Sequence, residues 1–335
     1  MAILPCTLCR RVGVFAGFLG VLLLSPILAS AESPFTIVAL PDTQNYSTSY
    51  PATFTAQTNW IKTHQVDKNI VFVTHEGDIV NTYTSTSEWT NATNAMNILD
   101  TTSIPYATCP GNHDSNYGAS YTNYAANFGA GRYSSKPWFL ATPSSSNNCL
   151  AATFTAGSRQ FLSLSLDSFR GADSIAFAQN QINLHPGMPT IVTLHSYYNT
   201  NGTFTSEGQQ FWDNVFKQNA YKQVFMVLCG HMHGQFNDYD LNQAVPTPQP
   251  VYEMLADYQN DANGGNGYMR LITFDPDNSK ISVKSYSPTL DLYNTNSLNQ
   301  FEYTNVDFSR LPEPATLAML GLGALALAGA RRRRR

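Results

Sequence analysis

The residues of this chain best suited to chemistry stand in five short clusters, each directly after an apolar run. Gly111-Asn112-His113-Asp114 follows Ile104 to Cys109, and Gly230-His231-Met232-His233 follows Val224 to Cys229. Phe35 to Leu40 runs into Pro41-Asp42-Thr43-Gln44, Ile70 to Thr74 into His75-Glu76-Gly77-Asp78, and Thr190 to Leu194 into His195. Carboxylate, amide and imidazole groups are the donors that transition metals take from proteins. The chemistry on offer is therefore metal binding. His231 and His233 stand two apart, so on an extended segment both rings point the same way and could reach one metal pocket.

Those clusters need elements to hold them. Each apolar run has the length of a buried strand, and a strand that ends in ligands places them on a short, rigid loop. In an α/β sheet, sites gather at the carboxyl ends of strands. Helical patterns alternate with the runs: Thr53 to His64, Ser87 to Leu99, Ser174 to Leu184 and Gly208 to Asn219. That alternation argues for a sheet core covered by helices. Two regions break it. From Asp114 to Asn148 the chain is rich in Ser, Asn, Tyr and Gly and reads as a long surface excursion that shapes access to the site. After His233, Val251 to Leu255, Tyr268 to Phe274 and Ile281 to Tyr286 read as antiparallel strands, the last two joined by the turn Asp275-Pro276-Asp277-Asn278.

The order of the clusters resembles the calcineurin-like metallophosphoesterase superfamily, whose blocks run D-x-H, GD, GNH followed by D or E, H, and GHxH. Here they stand as Asp42-Thr43-Gln44, Gly77-Asp78, Gly111-Asn112-His113-Asp114, His195 and Gly230-His231-Met232-His233, spread over residues 35 to 233. Single short motifs recur by chance, whereas five in one order carry weight. The resemblance implies an α/β fold, a four-layer αββα sandwich of two mixed β-sheets flanked by helices, whose second sheet the strands after His233 complete. It also implies a hydrolase acting on phosphomonoesters or phosphodiesters, by in-line attack of a hydroxide bridging two divalent or trivalent transition-metal ions, Fe, Mn or Zn. Asp78 would bridge the metals, with Asp42, Gln44 and His233 on the first and Asn112, His195 and His231 on the second. His113 would contact the ester and protonate the departing alkoxide or stabilise it by a hydrogen bond, and Asp114 would orient His113 or a neighbouring ligand.

Each residue also has a plainer reading. Asp42, Asp78 and Asn112 suit turns after strands, His195 suits a core histidine, and His75 suits a structural or supporting role. Gln44 departs from the family pattern, because an amide oxygen is a weaker and harder ligand than the usual imidazole. Either the first metal is held more loosely or another group helps. Asn81 stands where the purple acid phosphatase branch has a tyrosine ligand, which argues against an iron(III)-tyrosinate centre. Gln44 also motivates a second class of function, a surface or matrix binding protein that keeps the fold without turnover.

The two ends carry other signals. Arg10-Arg11, the apolar stretch Val12 to Leu28 and Ala29-Ser30-Ala31 have the order of a secretory signal peptide over residues 1–31; an uncleaved membrane anchor is the other reading. Pro312-Glu313-Pro314, the uncharged Ala315 to Ala330 and Arg331 to Arg335 resemble a PEP-CTERM sorting segment over 312–335. The order is that of a stop-transfer helix. It implies a transmembrane helix in transient contact with the inner membrane, recognition by exosortase-type machinery, and export in a Gram-negative bacterium to the periplasm, cell surface or extracellular matrix. Between the ends, residues 32–311 read as one metallophosphoesterase domain. Without the ends the 19 Lys+Arg and 23 Asp+Glu become 12 and 22, a formal charge of −10. Such a body repels polyanions, so nucleic acid is not an expected partner, while a phosphate ester drawn to bound cations is. Cys109, Cys149 and Cys229 are left in an oxidising compartment, either as buried core filler or with a Cys109 to Cys149 bridge.

Overall fold

The computed structural model describes residues 32–143, 148–241 and 248–310. Strands β1 (Phe35–Leu40), β2 (Ile70–His75) and β3 (Tyr106–Thr108) open one sheet and run parallel. The chain then builds a second sheet from β4 (Phe139–Ala141), β5 (Leu150–Ala156), β6 (Arg159–Leu166), β7 (Thr190–Leu194), β8 (Val224–Cys229), β9 (Gly234–Leu241) and β10 (Pro250–Asp257). It returns to the first sheet with β11 (Met269–Asp275), β12 (Lys280–Ser287), β13 (Leu292–Asn294) and β14 (Gln300–Thr304). The strand orders are β13-β12-β11-β1-β2-β3, with β14 also on β12, and β4-β5-β6-β7-β8-β10-β9. The fold is α/β, with two mixed sheets flanked by helices.

The β11–β12 hairpin lies in the first sheet rather than the second, antiparallel to β1 with Ile37 opposite Ile272. Every residue of β1 is buried. Such a strand needs a partner on both edges; β2 covers one and β11 the other. Of the three segments expected to complete the second sheet, only Val251 to Leu255 does so, within β10.

Rings join the sheets. Phe72 stacks on Phe154 with centroids 4.6 Å apart, Phe154 on Phe161 at 4.9 Å, and Phe35 meets both Phe161 and Phe274 at 5.7 and 4.8 Å. Each such pair contributes about 0.5–1.5 kcal/mol beyond the area it buries. Toward the site the contact turns polar, with Thr74 Oγ1 and Thr193 Oγ1 2.7 Å apart between β2 and β7. One hydrogen bond thus ties the two sheets within two residues of Glu76 and His195.

Part of the expected excursion at 114–148 is core. Thr122–Phe128 and Ala130–Tyr133 are helical, and Tyr124, Phe128, Tyr133 and Trp138 are buried. The hydroxyls of Tyr124 and Tyr133 both meet Thr108 Oγ1 at 3.1 Å, bracing the end of β3 from behind. Cys109, Cys149 and Cys229 are free thiols, all buried.

Among the described residues no helix is long and apolar enough to cross a membrane. The expected transmembrane helix at Ala315 to Ala330 lies outside them, and the reading does not stand, nor does the transient membrane partnership built on it. The expected signal at residues 1–31 also lies outside the described residues.

Glu253 on β10 is fully buried, accepting hydrogen bonds from the hydroxyls of Tyr197 and, at 2.7 Å, Tyr198. Burial outweighs those bonds and pushes its carboxyl up to about 8 from an ordinary 4.5. A raised carboxyl favours the fold only while protonated, so stability should fall from about pH 5 to about pH 8 by up to about 4 kcal/mol. Glu253→Gln should flatten the melting temperature over that window. An unchanged slope would place the pH dependence elsewhere.

Candidate metal centre

The five clusters follow the carboxyl ends of β1, β2, β3, β7 and β8 and meet through His195, which faces Asp42, Asp78 and Asn112, and through the His231 N–H on Asp42. Two glycines make the approach possible. A Cβ at Gly111 would run into Asp78 Oδ1, and one at Gly230 into Asp42 Oδ1. Asp78 itself has φ +47°, after Gly77 at φ +94°, a left-handed turn that Asp tolerates better than most residues.

Asp78, His195 and His231 each bring a ligand atom within 4.8 Å of the others. His195 is fully buried. Its Nδ1 lies 2.9 Å from the Glu76 carbonyl, which can only accept, so Nδ1 carries a proton and donates it there. Nε2 faces Asp78 Oδ2 at 3.2 Å and Asn112 Oδ1 at 3.0 Å. Burial pulls the ring down, but the charge and hydrogen bond of Asp78 outweigh it and raise its pKa, so in the metal-free chain Nε2 carries a proton that a cation would replace between the same three groups.

Of Asp42, Gln44 and His233, the residues expected around the other metal, Asp42 and Gln44 are joined through Gln259, while His233 meets Asn260 and Asp257 instead. Asp42 Oδ1 and Gln44 Oε1 are buried without a hydrogen-bond partner, another arrangement suited to a cation. Asp42 Oδ2 accepts from the His231 N–H at 3.1 Å and from Gln259 Nε2 at 2.9 Å. His233 is exposed, its Nδ1 3.1 Å from Asn260 Oδ1 and its Nε2 3.8 Å from Asp257 Oδ2. The expectation that His231 and His233 point the same way on an extended segment fails. His231 has φ +72°, and the Met232 N–H closes a turn on the Gly230 carbonyl at 2.9 Å. The turn sends His231 to Asp78 and His195, and His233 to Asp257 and Asn260.

Electrostatics follow from burial. Burial, then Asp257, Asp78 and Glu76, raise the Asp42 carboxyl well above the usual range. Burial opposes ionisation of Asp78 too, but the charge and hydrogen bond of His195 overcome it and hold Asp78 low. His231 is pulled down to about 4 by burial and by His195, which keeps its ring neutral, as a ligand must be. His75, fully buried, is pulled down to about 3, mainly by burial. It receives the Gly77 N–H at Nδ1 and bonds Thr43 Oγ1 through Nε2, tying two ligand loops together.

Asn112–Ser115 is a short helical turn, not an extended one. Successive side chains on it diverge by about 100°, so Asn112 turns to His195 while His113 is half-buried and donates from Nδ1 to the Asn81 carbonyl at 2.7 Å. Asp114 accepts from the N–H groups of Ile79, Val80 and Gly111 at 3.1, 3.0 and 2.8 Å, binding the Asp78 loop to its own. Burial and Asp78 push it up to about 7.

Several contributors went unassigned in the sequence. Glu76 is fully buried, with both carboxylate oxygens unpartnered. Asp257, which ends β10, and Gln259 and Asn260 just beyond it touch Asp42, Gln44 and His233. Phe169 sets its ring edge-on to His231 at 6.1 Å and to the exposed Tyr117 at 5.7 Å.

The chain matches the calcineurin-like phosphoesterase family over residues 35–235, and it belongs to that family. Family membership and the Asp78, His195 and His231 group together support use of divalent metal. Residues 311–335 match a PEP-CTERM protein-sorting motif, which supports export and surface or extracellular sorting in a Gram-negative host. The protein "Uncharacterized protein YvnB" of Bacillus subtilis (strain 168) is 33% identical over 262 residues, a match that covers 77% of this chain and 20% of that protein. The chain thus spans about a fifth of that curated relative. Among solved structures, purple acid phosphatase PPD1 from yellow lupin (Lupinus luteus) seeds is similar in fold, with a TM-score of 0.54 and 14% identity over 84% of this chain and 55% of that one.

Proposed function

We propose that residues 32–311 form a phosphoesterase domain that hydrolyses phosphomonoesters or phosphodiesters, exported by residues 1–31 and sorted to the surface by 312–335. The observation that carries this reading is His195, whose Nε2 faces Asp78 Oδ2 and Asn112 Oδ1, with His231 in the same group. Asp78 would lie between two metal ions of the Fe, Mn or Zn type, with Asp42, Gln44 and His233 around one and Asn112, His195 and His231 around the other. Such a pair supplies Lewis-acid charge for phosphoryl oxygens and lowers the pKa of water. The chain's own residues do the rest. Asn81 fixes the ring of His113 through Nδ1, so that the doubly protonated imidazolium would give its Nε2 proton to the leaving alkoxide and stay behind as the neutral ring, Nδ1–H still on Asn81. Asp114 holds the two loops in register, and Phe169 and Tyr117 offer an aromatic wall against which a substrate's organic group can rest.

A second reading, a surface binding protein without turnover, rests on Gln44 alone. An aryl phosphate and a bis-aryl phosphate assayed with added Mn²⁺, Zn²⁺ or Fe²⁺ separate the two. Metal-dependent release of the phenolate supports the phosphoesterase. Stoichiometric metal without release would favour the binding protein, and failure to bind metal would sink both.

A further inference from the structure

The loop after β10 reaches back across the site to Gln44. Gln259 anchors its own backbone there, its N–H donating to Asp257 Oδ1 at 2.8 Å. Its Nε2 donates to Asp42 Oδ2 at 2.9 Å, with Asp257 Oδ2 at 3.4 Å, and its Oε1 accepts from Gln44 Nε2 at 2.5 Å. The orientation of both amides follows from the chemistry of the partners. Asp42 Oδ2 already accepts the His231 N–H, so it faces Gln259 as an acceptor and the NH₂ end of Gln259 must turn to it. The oxygen of Gln259 is thereby left for Gln44, which must present its own NH₂ end. Gln44 Oε1 is then turned away from the pair, and it is the atom that stands buried without a hydrogen-bond partner.

We propose that Gln259 is a positioning residue: through this carboxylate–amide–amide relay it decides which end of Gln44 serves the first metal. An amide binds a cation through oxygen and not through its NH₂ group, so a glutamine that was free to flip would be a ligand only part of the time. The relay removes that choice and makes glutamine usable where the family pattern has histidine. The inference rests on the proposed two-metal centre, with Gln44 on the first metal.

The test is a chelator-competed Mn²⁺ and Zn²⁺ titration of the purified chain and its variants. Gln259→Leu keeps the volume and breaks both hydrogen bonds; it should weaken binding of one metal about 10- to 100-fold, the range for loss of a supporting partner, and spare the other. Gln44→His replaces the amide with a ring that needs no such orientation. In that background Gln259→Leu should cost several-fold less, because only the support of Asp42 remains to be lost. Equal losses in both backgrounds would reduce Gln259 to a prop for Asp42, and no loss in either would remove it from the site; each overturns the proposal while leaving the metal centre standing. A wild-type chain that binds no metal would overturn both. Gln259 is half-buried, and metal-free melting should be close to wild type. Gln259→Met gives the same comparison if the Leu variant does not fold.

Discussion

Asp78→Ala is expected to empty the centre, taking metal content from about two ions per chain to nearly none. Asp78 stands 3.2 Å from His195 Nε2 and is the one carboxylate in the group it forms with His195 and His231, so alanine there takes the negative charge out of that group. Its other oxygen accepts the His113 N–H at 2.8 Å. Alanine therefore also frees the helical turn that carries Asn112 and His113. Asp78→Asn separates the two effects, because an amide oxygen can still accept that N–H while the bridging charge is gone. Elemental analysis of both variants, beside their melting temperatures, is the measurement. Full stoichiometry in Asp78→Ala would end the bridging role.

His113→Ala should lose about 10² to 10⁴ in turnover on esters whose alkoxide leaving groups need a proton, and much less on nitrophenyl esters, whose phenolate departs without one. The geometry behind this expectation is the bond from Nδ1 to the Asn81 carbonyl, which fixes the ring and leaves Nε2 as the exchanging nitrogen. Metal content should stay near wild type. Equal loss on the two kinds of ester, or loss that follows missing metal, would leave His113 as a group that positions phosphate.

What the sequence made legible was local. β1, β7 and β8 run over the residues their apolar character picks out, and the ligands follow directly because a strand end and its loop are one stretch of chain. What it hid depends on pairing at a distance. The β11–β12 hairpin carries nothing in its own residues to say that it flanks β1 rather than β10. Strands β5 and β6, rich in Ala, Ser and Thr, resemble the polar stretch before them until Phe154 and Phe161 are seen stacked. His231 and His233 were misjudged in direction because a single positive φ overrides the two-residue period of a strand. Gln259 and Asn260 carry no spacing signal in a chain full of Asn and Gln; only the fold brings them to Asp42, Gln44 and His233.

The site gathers Asp42, Glu76, Asp78, Asp114 and Asp257 away from water, and its cost falls on the metal-free chain. A metal at about a hundred times its dissociation constant deepens the folded state by about 2.7 kcal/mol, so the open chain is visited about a hundredfold less often. Proteolysis of a transiently opened protein tracks that population. For a protein sorted to the surface, lifetime would then follow local metal supply. Where metal is scarce the protein would vanish by degradation rather than persist as an idle enzyme.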